Sequence, residues 1–308
     1  MAGAHPVVAI VGPTASGKTP LAVEVALRLG GEVVNADAYQ LYQGMDVGTA
    51  KPTVAERRGV PHRLLDVLDV TQDASVAVYQ QLAGAALGDV QGRGRPAVLA
   101  GGSGLYVRAV LDGLRIPPTD PVVRARLEAE LVELGAPALH ARLAARDPAA
   151  AAAILASNGR RVVRALEVNE VTGGPFRATL PDAAYALPAV QIGLDIPRNV
   201  LDARIAARVD RMWRNGFVDE VRVLERRGLR DTRTASRALG YAQILRMLAG
   251  QLTEQEAKAE TVVATRRFAR RQESWFRRDP RVVWLRPRPP DELAPRVADL
   301  LGRAPGWS

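Results

Sequence analysis

The feature that most constrains the fold is a glycine-bracketed loop near the start of the chain. Residues 12–19 read GPTASGKT and match the phosphate-binding pattern G-x-x-x-x-G-K-[ST]. The apolar run VVAIVG (7–12) precedes the loop, and PLAVEVALRLG (20–30) follows it with apolar residues at helical spacing. The pattern therefore predicts a strand, a loop and a helix that together bind a diphosphate or a triphosphate.

Each residue type in this loop suits an anion. Glycines let backbone N–H groups face the ligand, and the helix N-terminus adds partial positive charge. Lys18 is expected to neutralise phosphoryl oxygens, and the Thr19 hydroxyl is expected to bind Mg²⁺. The predicted diphosphate-binding residues are Gly12, Pro13, Thr14, Ala15, Ser16, Gly17, Lys18 and Thr19.

The following segments alternate between strand and helix patterns. EVVNA (32–36) and RPAVLAGG (95–102) are typical of buried strands, and ASVAVYQQLAGAAL (74–87) is typical of a helix. This alternation predicts an α/β fold of the P-loop NTPase type, an open parallel sheet flanked by helices. The carboxyl ends of such strands share one edge, so we expect the loop, Asp37 and residues 101–103 to converge there.

The second part of the chain predicts a different organisation. Residues 119–188 have helical periodicity with Gly and Pro punctuation, which predicts an all-helical insertion domain. The catalytic core then comprises 1–118 and 189–288, with a strand at 190–196, helices at 198–214, 217–227, 235–249 and 253–277, and a strand at 282–285. Residues 289–308 are predicted to be a loose tail.

Charge is distributed unevenly between these parts. Residues 1–118 contain ten basic and ten acidic side chains, whereas residues 119–308 contain 32 basic and 23 acidic side chains and carry the whole net charge of +9. This asymmetry fits either an arginine-rich solvated surface or a surface that binds a polyanion.

Composition excludes several classes of site. The chain has no cysteine and three histidines, which excludes disulfides and thiolate metal centres and makes a histidine metal centre improbable. No apolar run is long enough to span a membrane, and the N-terminus lacks a signal-peptide pattern. We therefore expect a cytoplasmic protein with no membrane partner. A monomer is also expected.

The loop alone does not specify the reaction. In many P-loop enzymes a second strand ends in an Asp that helps to hold Mg²⁺, but here Ala97–Ala100 is followed by Gly101. Asp37 is the alternative carboxylate, either as a metal ligand or as a general base. The residues up to this point also permit a small-molecule kinase that uses ATP, or a nucleic-acid-binding module with a vestigial loop.

Several segments together resemble the tRNA dimethylallyltransferases, also called tRNA isopentenyltransferases. They appear in order along the chain: GPTASGKT (12–19), NADAYQLYQGMDVGTAKPT (35–53), PHRLLD (61–66), AGGSGLY (100–106), RRVVRALEV (160–168), RIAARVDRMWRNGFVDEV (204–221) and SRALGYAQ (236–243). The resemblance implies transfer of a dimethylallyl group from dimethylallyl diphosphate to N6 of the adenosine 3′ of the anticodon, position 37, in tRNAs that read codons beginning with U. Diphosphate is released, and no ATP is hydrolysed. A close variant, prenylation of free adenine nucleotides, would not need the basic insertion.

The resemblance also implies roles for individual residues. The catalytic set comprises Asp37, Lys18, Arg208 and Ser103, with Asp37 accepting a proton from the attacking amine and Arg208 contacting the diphosphate. Many relatives have Ser where this chain has Ala38. The residues implied to contact the tRNA anticodon stem-loop are Asp37, Ala38, Tyr39, Gln40, Ser103, Arg124, Arg160, Arg161, Arg164, Arg237, Gly240 and Tyr241.

Overall fold

The computed structural model describes residues 5–177 and 180–303, and a parallel sheet organises most of them. Within these residues the sheet has six strands: β1 (Val7–Val11), β2 (Glu32–Asn35), β3 (His62–Arg63), β4 (Ala97–Gly101), β5 (Ala189–Leu194) and β6 (Val282–Leu285). Their spatial order is β3-β2-β4-β1-β5-β6, and every neighbouring pair is parallel. The predicted open parallel α/β sheet is confirmed.

The central strand β1 lies between β4 and β5. This position explains why its sequence is wholly apolar. All five of its residues have 0% exposure, because helices cover both faces of the sheet. Val7, Ala9 and Val11 pack into one core, and Val8 and Ile10 pack into the other. Buried strands of this kind have continuous apolar sequences instead of alternating ones.

The strand register brings three chain segments to the carboxyl edge. Val11 pairs with Gly101, and Asn35 pairs with Ala100. The phosphate-binding loop, Asp37 and the turn after β4 therefore leave the sheet side by side, as the sequence predicts.

Helices surround the sheet in the first compact unit, which comprises the described residues up to Leu114 and from Tyr185 onward. They are α1 (Lys18–Leu29), α2 (Val54–Arg57), α3 (Val76–Gly92), α4 (Gly104–Leu111), α8 (Arg198–Arg214), α9 (Phe217–Arg226), α10 (Tyr241–Leu248), α11 (Glu254–Arg277) and α12 (Pro290–Gly302). The three helices between α4 and α8 lie in the second unit. The predicted helix 235–249 is instead a short 3₁₀ turn (Ala235–Arg237) followed by α10, and the two are separated at Gly240, whose φ is 86°.

The second unit, Arg115–Ala184, contains α5 (Pro121–Arg146), α6 (Pro148–Ala153) and α7 (Gly159–Thr172). Leu127, Leu139, Leu143 and Leu166 form part of its own buried core. Within α5 the backbone departs from helical geometry at Gly135, two residues before Pro137. The unit begins and ends a few residues before the predicted limits of 119 and 188.

The C-terminal segment corrects one prediction. Residues 290–302 of the predicted loose tail form α12, which packs on α1 and buries Leu293, Val297 and Leu301. These leucine and valine positions recur at helical spacing, and acidic Asp291 and Glu292 occupy the first turn, where they interact favourably with the helix dipole. Residues 304–308 of that prediction lie outside the described residues.

Among the described helices, none has the length and hydrophobicity needed to cross a membrane.

Candidate active site

The phosphate-binding loop connects β1 to α1 in a conformation that depends on two glycines. Gly12 has φ 127° and Gly17 has φ 98°, backbone angles that strain residues with a Cβ atom. Thr14, Ala15, Gly17, Lys18 and Thr19 line a cleft of about 870 Å³. The other three residues of the loop, Gly12, Pro13 and Ser16, are buried. Five of the eight predicted binding residues therefore border the cleft directly.

Lys18 lies at the first position of α1 and is held by the loop itself. Its ammonium donates a hydrogen bond to the Pro13 carbonyl oxygen at 2.6 Å. Burial lowers the pKa of Lys18 from 10.5 to about 7, the nearby Asp37 carboxylate opposes this shift, and Arg208 adds to it. An anion bound in the cleft would favour the charged ammonium.

Asp37 follows β2 and is fixed by Asn35, which sequence reasoning did not single out. The Asn35 Oδ1 atom accepts the Asp37 N–H at 2.9 Å, and Asn35 Nδ2 donates to the Asp37 carbonyl oxygen at 2.9 Å. One carboxylate oxygen of Asp37 accepts the Tyr39 N–H at 3.1 Å. Asp37 borders the cleft, and among the described residues the Tyr39 N–H is the one hydrogen-bond donor to its carboxylate.

Ser103 joins the turn after β4 to the segment that carries Asp37. Its hydroxyl accepts the Ala38 N–H at 3.3 Å, and its own N–H donates to the Ala36 carbonyl oxygen at 3.2 Å. A Cβ atom on neighbouring Gly101 would lie 2.2 Å from that same Ala36 oxygen. The close approach of the two backbones explains why glycine, and not Asp, ends this strand.

Arg208 projects from α8 toward the loop. Its guanidinium donates to the Thr14 hydroxyl at 3.2 Å and to the Thr49 carbonyl oxygen at 3.2 Å. Burial lowers its pKa, and the negative charge of Asp37 partly offsets this shift. Both of these hydrogen-bond acceptors are neutral, so the positive charge of Arg208 remains available to an anion.

Gln272 of α11 is a further site residue, and no local signal in the sequence marks it. Its Oε1 atom accepts the Thr14 N–H at 2.9 Å, and its Nε2 atom donates to the Gly102 carbonyl oxygen at 2.9 Å. The side chain is buried and borders the cleft. One amide group therefore joins the phosphate-binding loop to the turn after β4.

Two further arginines of α8 border the cleft beyond Arg208. Arg204 and Arg211 lie one helical turn before and after it, and both are exposed. In the described part of the chain neither is paired with a carboxylate, whereas Arg198 of the same helix pairs with Glu273. These two arginines add exposed positive charge to a cleft that Asp37, Asp46 and Glu56 also border.

A smaller cavity of about 70 Å³ adjoins the cleft at Asp37 and Arg208. Its walls are largely apolar and include Ile205, Val209, Met212, Leu239 and Phe268. A polar cleft and an apolar cavity that meet at a carboxylate suit a ligand with an anionic head and a short hydrocarbon chain.

The donor set at the loop fits Mg²⁺ only with help from a ligand. Thr19 offers a hydroxyl and Asp37 a carboxylate at the edge of one cleft, whereas no group of three or more acidic or histidine side chains suitable for a metal occurs among the described residues. Mg²⁺ commonly keeps several waters and binds through one or two protein groups plus substrate phosphates, and these residues fit that mode.

The structure separates the implied tRNA contacts into exposed and internal residues. Tyr39 borders the smaller cavity and Gln40 borders the cleft, and Ala38 precedes them in the chain. Arg160 and Arg161 are exposed on the first turn of α7, and Arg237 is exposed on the 3₁₀ turn.

The other four implied contacts already have partners inside the protein or are buried. Arg124 and Arg164 both pair with Glu167, a carboxylate with 0% exposure that requires such partners, so their charge is used inside the insertion unit. Gly240 is buried, and a Cβ atom there would lie 2.4 Å from Phe217. Tyr241 has 0% exposure, and its hydroxyl donates to Glu220.

Comparisons with known proteins identify the family of this chain. The profile described as IPP transferase matches residues 40–279. The chain is 69% identical to the tRNA dimethylallyltransferase of Thermobifida fusca over 91% of this chain and 89% of that one, and 62% identical to that of Streptomyces griseus over 98% of both. It resembles the crystal structure of the tRNA isopentenylpyrophosphate transferase of Bacillus halodurans with a TM-score of 0.72 and 40% identity, over 96% of this chain and 97% of that one. The chain therefore belongs to the IPP transferase family.

Proposed function

We propose that the protein transfers a dimethylallyl group from dimethylallyl diphosphate to N6 of adenosine 37, next to the anticodon, in tRNAs that read codons beginning with U. The products are the N6-prenylated tRNA and inorganic diphosphate. We place the reaction in the cytoplasm and assign it to a monomer. The observation that carries the proposal is the junction of a cationic cleft with an apolar cavity at the Asp37 carboxylate.

The cationic cleft would hold the diphosphate. The loop N–H groups, the Lys18 ammonium and the Arg208 guanidinium surround the place where negative charge develops as the allylic C–O bond breaks. The five-carbon group would lie in the apolar cavity beside them. Charge is then stabilised by groups already in position, which lowers the barrier to departure of the diphosphate.

Asp37 would act on the acceptor. As the N6 lone pair forms a bond to the allylic carbon, the amine loses a proton, and the free oxygen of the Asp37 carboxylate is placed to accept it. The adenine must leave its stack to reach this position. Tyr39 and Gln40, beside Asp37, are the residues we assign to the extruded base.

Mg²⁺ fits the same site. The Thr19 hydroxyl would hold the ion together with diphosphate oxygens, and Asp37 borders the same cleft. When bound, Mg²⁺ supplies additional neutralisation of the leaving diphosphate.

The surface that meets RNA extends beyond the catalytic cleft. We assign phosphate contacts to exposed Arg160 and Arg161 in the insertion unit and to Arg237 in the core unit. This assignment gives a partner to the positive charge concentrated in residues 119–308.

A transfer assay tests the function. Unmodified tRNA with adenosines at positions 36 and 37 is incubated with the protein and dimethylallyl diphosphate labelled in its carbon chain. We expect label in RNA from this tRNA and none when position 37 is guanosine. Equal labelling of both RNAs, or labelling of AMP in preference to tRNA, would overturn the proposal.

A further inference from the structure

The Glu220 carboxylate, in the first turn of α9, binds a chain segment far away in sequence. One oxygen accepts the N–H groups of Asp46 at 3.0 Å and Val47 at 2.6 Å, and the other accepts the Gly48 N–H at 3.1 Å. The second oxygen also accepts the Tyr241 hydroxyl at 2.5 Å. Four donors occupy the two oxygens, which is about the full accepting capacity of a carboxylate.

The segment 46–48 packs closely on the helices behind it. A Cβ atom on Gly48 would lie 2.1 Å from the Phe217 ring and 2.5 Å from the Tyr241 ring. Burial and the neighbouring Glu220 charge raise the pKa of Tyr241 well above 10, so its hydroxyl stays protonated and remains a donor. Glu220 therefore fixes this backbone segment against α9 and α10.

The next residue along the chain faces the catalytic cleft. The Thr49 carbonyl oxygen accepts a hydrogen bond from Arg208 at 3.2 Å and another from the Gln40 amide at 3.2 Å. Apart from Thr49, Arg208 donates to the Thr14 hydroxyl. The orientation of the guanidinium therefore depends on where the Thr49 carbonyl lies.

We propose that Glu220 is a positioning residue for the transfer reaction and acts through Thr49 on Arg208. By binding three successive backbone N–H groups, it places the Thr49 carbonyl so that a neutral oxygen holds the guanidinium. The full positive charge of Arg208 is then directed at the diphosphate. The inference rests on the proposed function, because it assigns Arg208 to the departing diphosphate of that reaction.

The test uses Glu220→Gln, because an amide has one accepting oxygen, and its NH₂ would face backbone donors. We expect kcat/KM for dimethylallyl diphosphate to fall by roughly 10- to 100-fold, while the Kd for tRNA changes little. Asp219→Asn is the matched control. It removes the same charge from the same turn of α9, but Asp219 is exposed and pairs with Arg222, so we expect wild-type kinetics.

A double-mutant cycle separates positioning from general stability. In an Arg208→Ala background we expect Glu220→Gln to lower kcat/KM by no more than about twofold, because the residue through which it acts is gone. An undiminished loss in that background, or wild-type kinetics of Glu220→Gln alone, would overturn the inference. If Glu220→Gln does not fold, Tyr241→Phe takes its place in the cycle, because it removes the hydroxyl that donates to Glu220. We expect it to lower kcat/KM by a smaller factor. Failure of the wild-type protein to transfer label at all would instead contradict the proposed function.

Discussion

Gln272 accepts the backbone N–H of Thr14 at 2.9 Å, although 258 positions separate the two residues in the chain. The same side chain donates to the carbonyl oxygen of Gly102 at 2.9 Å. Because Gln272 already uses the Thr14 N–H, this group is not available to a diphosphate. α11 thereby sets the position of the phosphate-binding loop relative to the turn after β4.

Gln272→Met removes both hydrogen bonds while keeping a side chain of similar length. We expect KM for dimethylallyl diphosphate to rise by roughly 5- to 100-fold, as the loss of two hydrogen bonds of about 1 kcal/mol each predicts. Steady-state kinetics with tRNA at saturation measure this change. Gln255→Met is the control, because Gln255 is exposed in the first turn of the same helix. Equal kinetics of the two variants would remove Gln272 from the site.

Asp37→Ala tests the proposed proton acceptor. We expect turnover to fall by roughly 10²- to 10⁴-fold, the usual contribution of general base catalysis. The Kd for tRNA should change little, because Asp37 is one contact among many. Rapid-quench measurement of prenylated tRNA gives the turnover, and filter binding gives the Kd. Unchanged turnover would show that another group accepts the proton.

The pKa of Lys18 predicts a proton uptake on ligand binding. In the ligand-free protein this pKa is about 7, so the ammonium is largely deprotonated at pH 8. A bound diphosphate favours the charged form and raises the pKa, so binding takes up a proton, and the affinity falls as the pH rises above 7.

Calorimetry of diphosphate binding at pH 8, in buffers of different ionisation enthalpy, measures this uptake. Lys18→Arg is the comparison, because its guanidinium stays charged and the ionisation of diphosphate itself is common to both proteins. We expect the wild-type protein to take up approaching one proton more than the variant, as the shift of a single group allows. The same proton count in both proteins would contradict a lowered Lys18 pKa.

Arg160 and Arg161 are expected to bind RNA phosphates. Reversing both to Glu should weaken tRNA binding and reduce the slope of log K against log salt by about one for each lost contact. Transfer rates at saturating tRNA should stay close to those of the wild-type protein. Arg126→Glu is a suitable comparison, because Arg126 is also exposed in the insertion unit and pairs with Glu130 and Glu170. A wild-type salt slope in the Arg160 and Arg161 variant would place the RNA contacts elsewhere.

Local patterns predicted five of the six described strands, and they missed β3, which has only two residues (His62–Arg63). The GPTASGKT loop lies between a buried strand and a helix, and the strand register brings it beside Asp37. These features depend on periodicity and on residues close together in sequence, which a single chain records directly.

Features that depend on distant contacts could not be predicted in this way. Gln272 binds a residue 258 positions away in the chain, and Glu220 binds a segment 172 to 174 positions away. Neither residue belongs to a motif with a known mechanism. Tyr241 lies in a polar-looking segment but is buried by Phe217 and Gly48. The short amphipathic helix α12 was not predicted, because the stretch before it is rich in Arg and Pro.

The most direct test of the account is a single-turnover reaction in which both products are counted. The protein, in excess, is mixed with tRNA, dimethylallyl diphosphate labelled in both its carbon chain and its phosphates, and ATP. We predict that inorganic diphosphate and prenylated tRNA form in equal amounts and at the same rate, with no loss of ATP. Release of orthophosphate from ATP, with no carbon label in the RNA, would contradict the claim that this phosphate-binding loop removes diphosphate from an allylic donor.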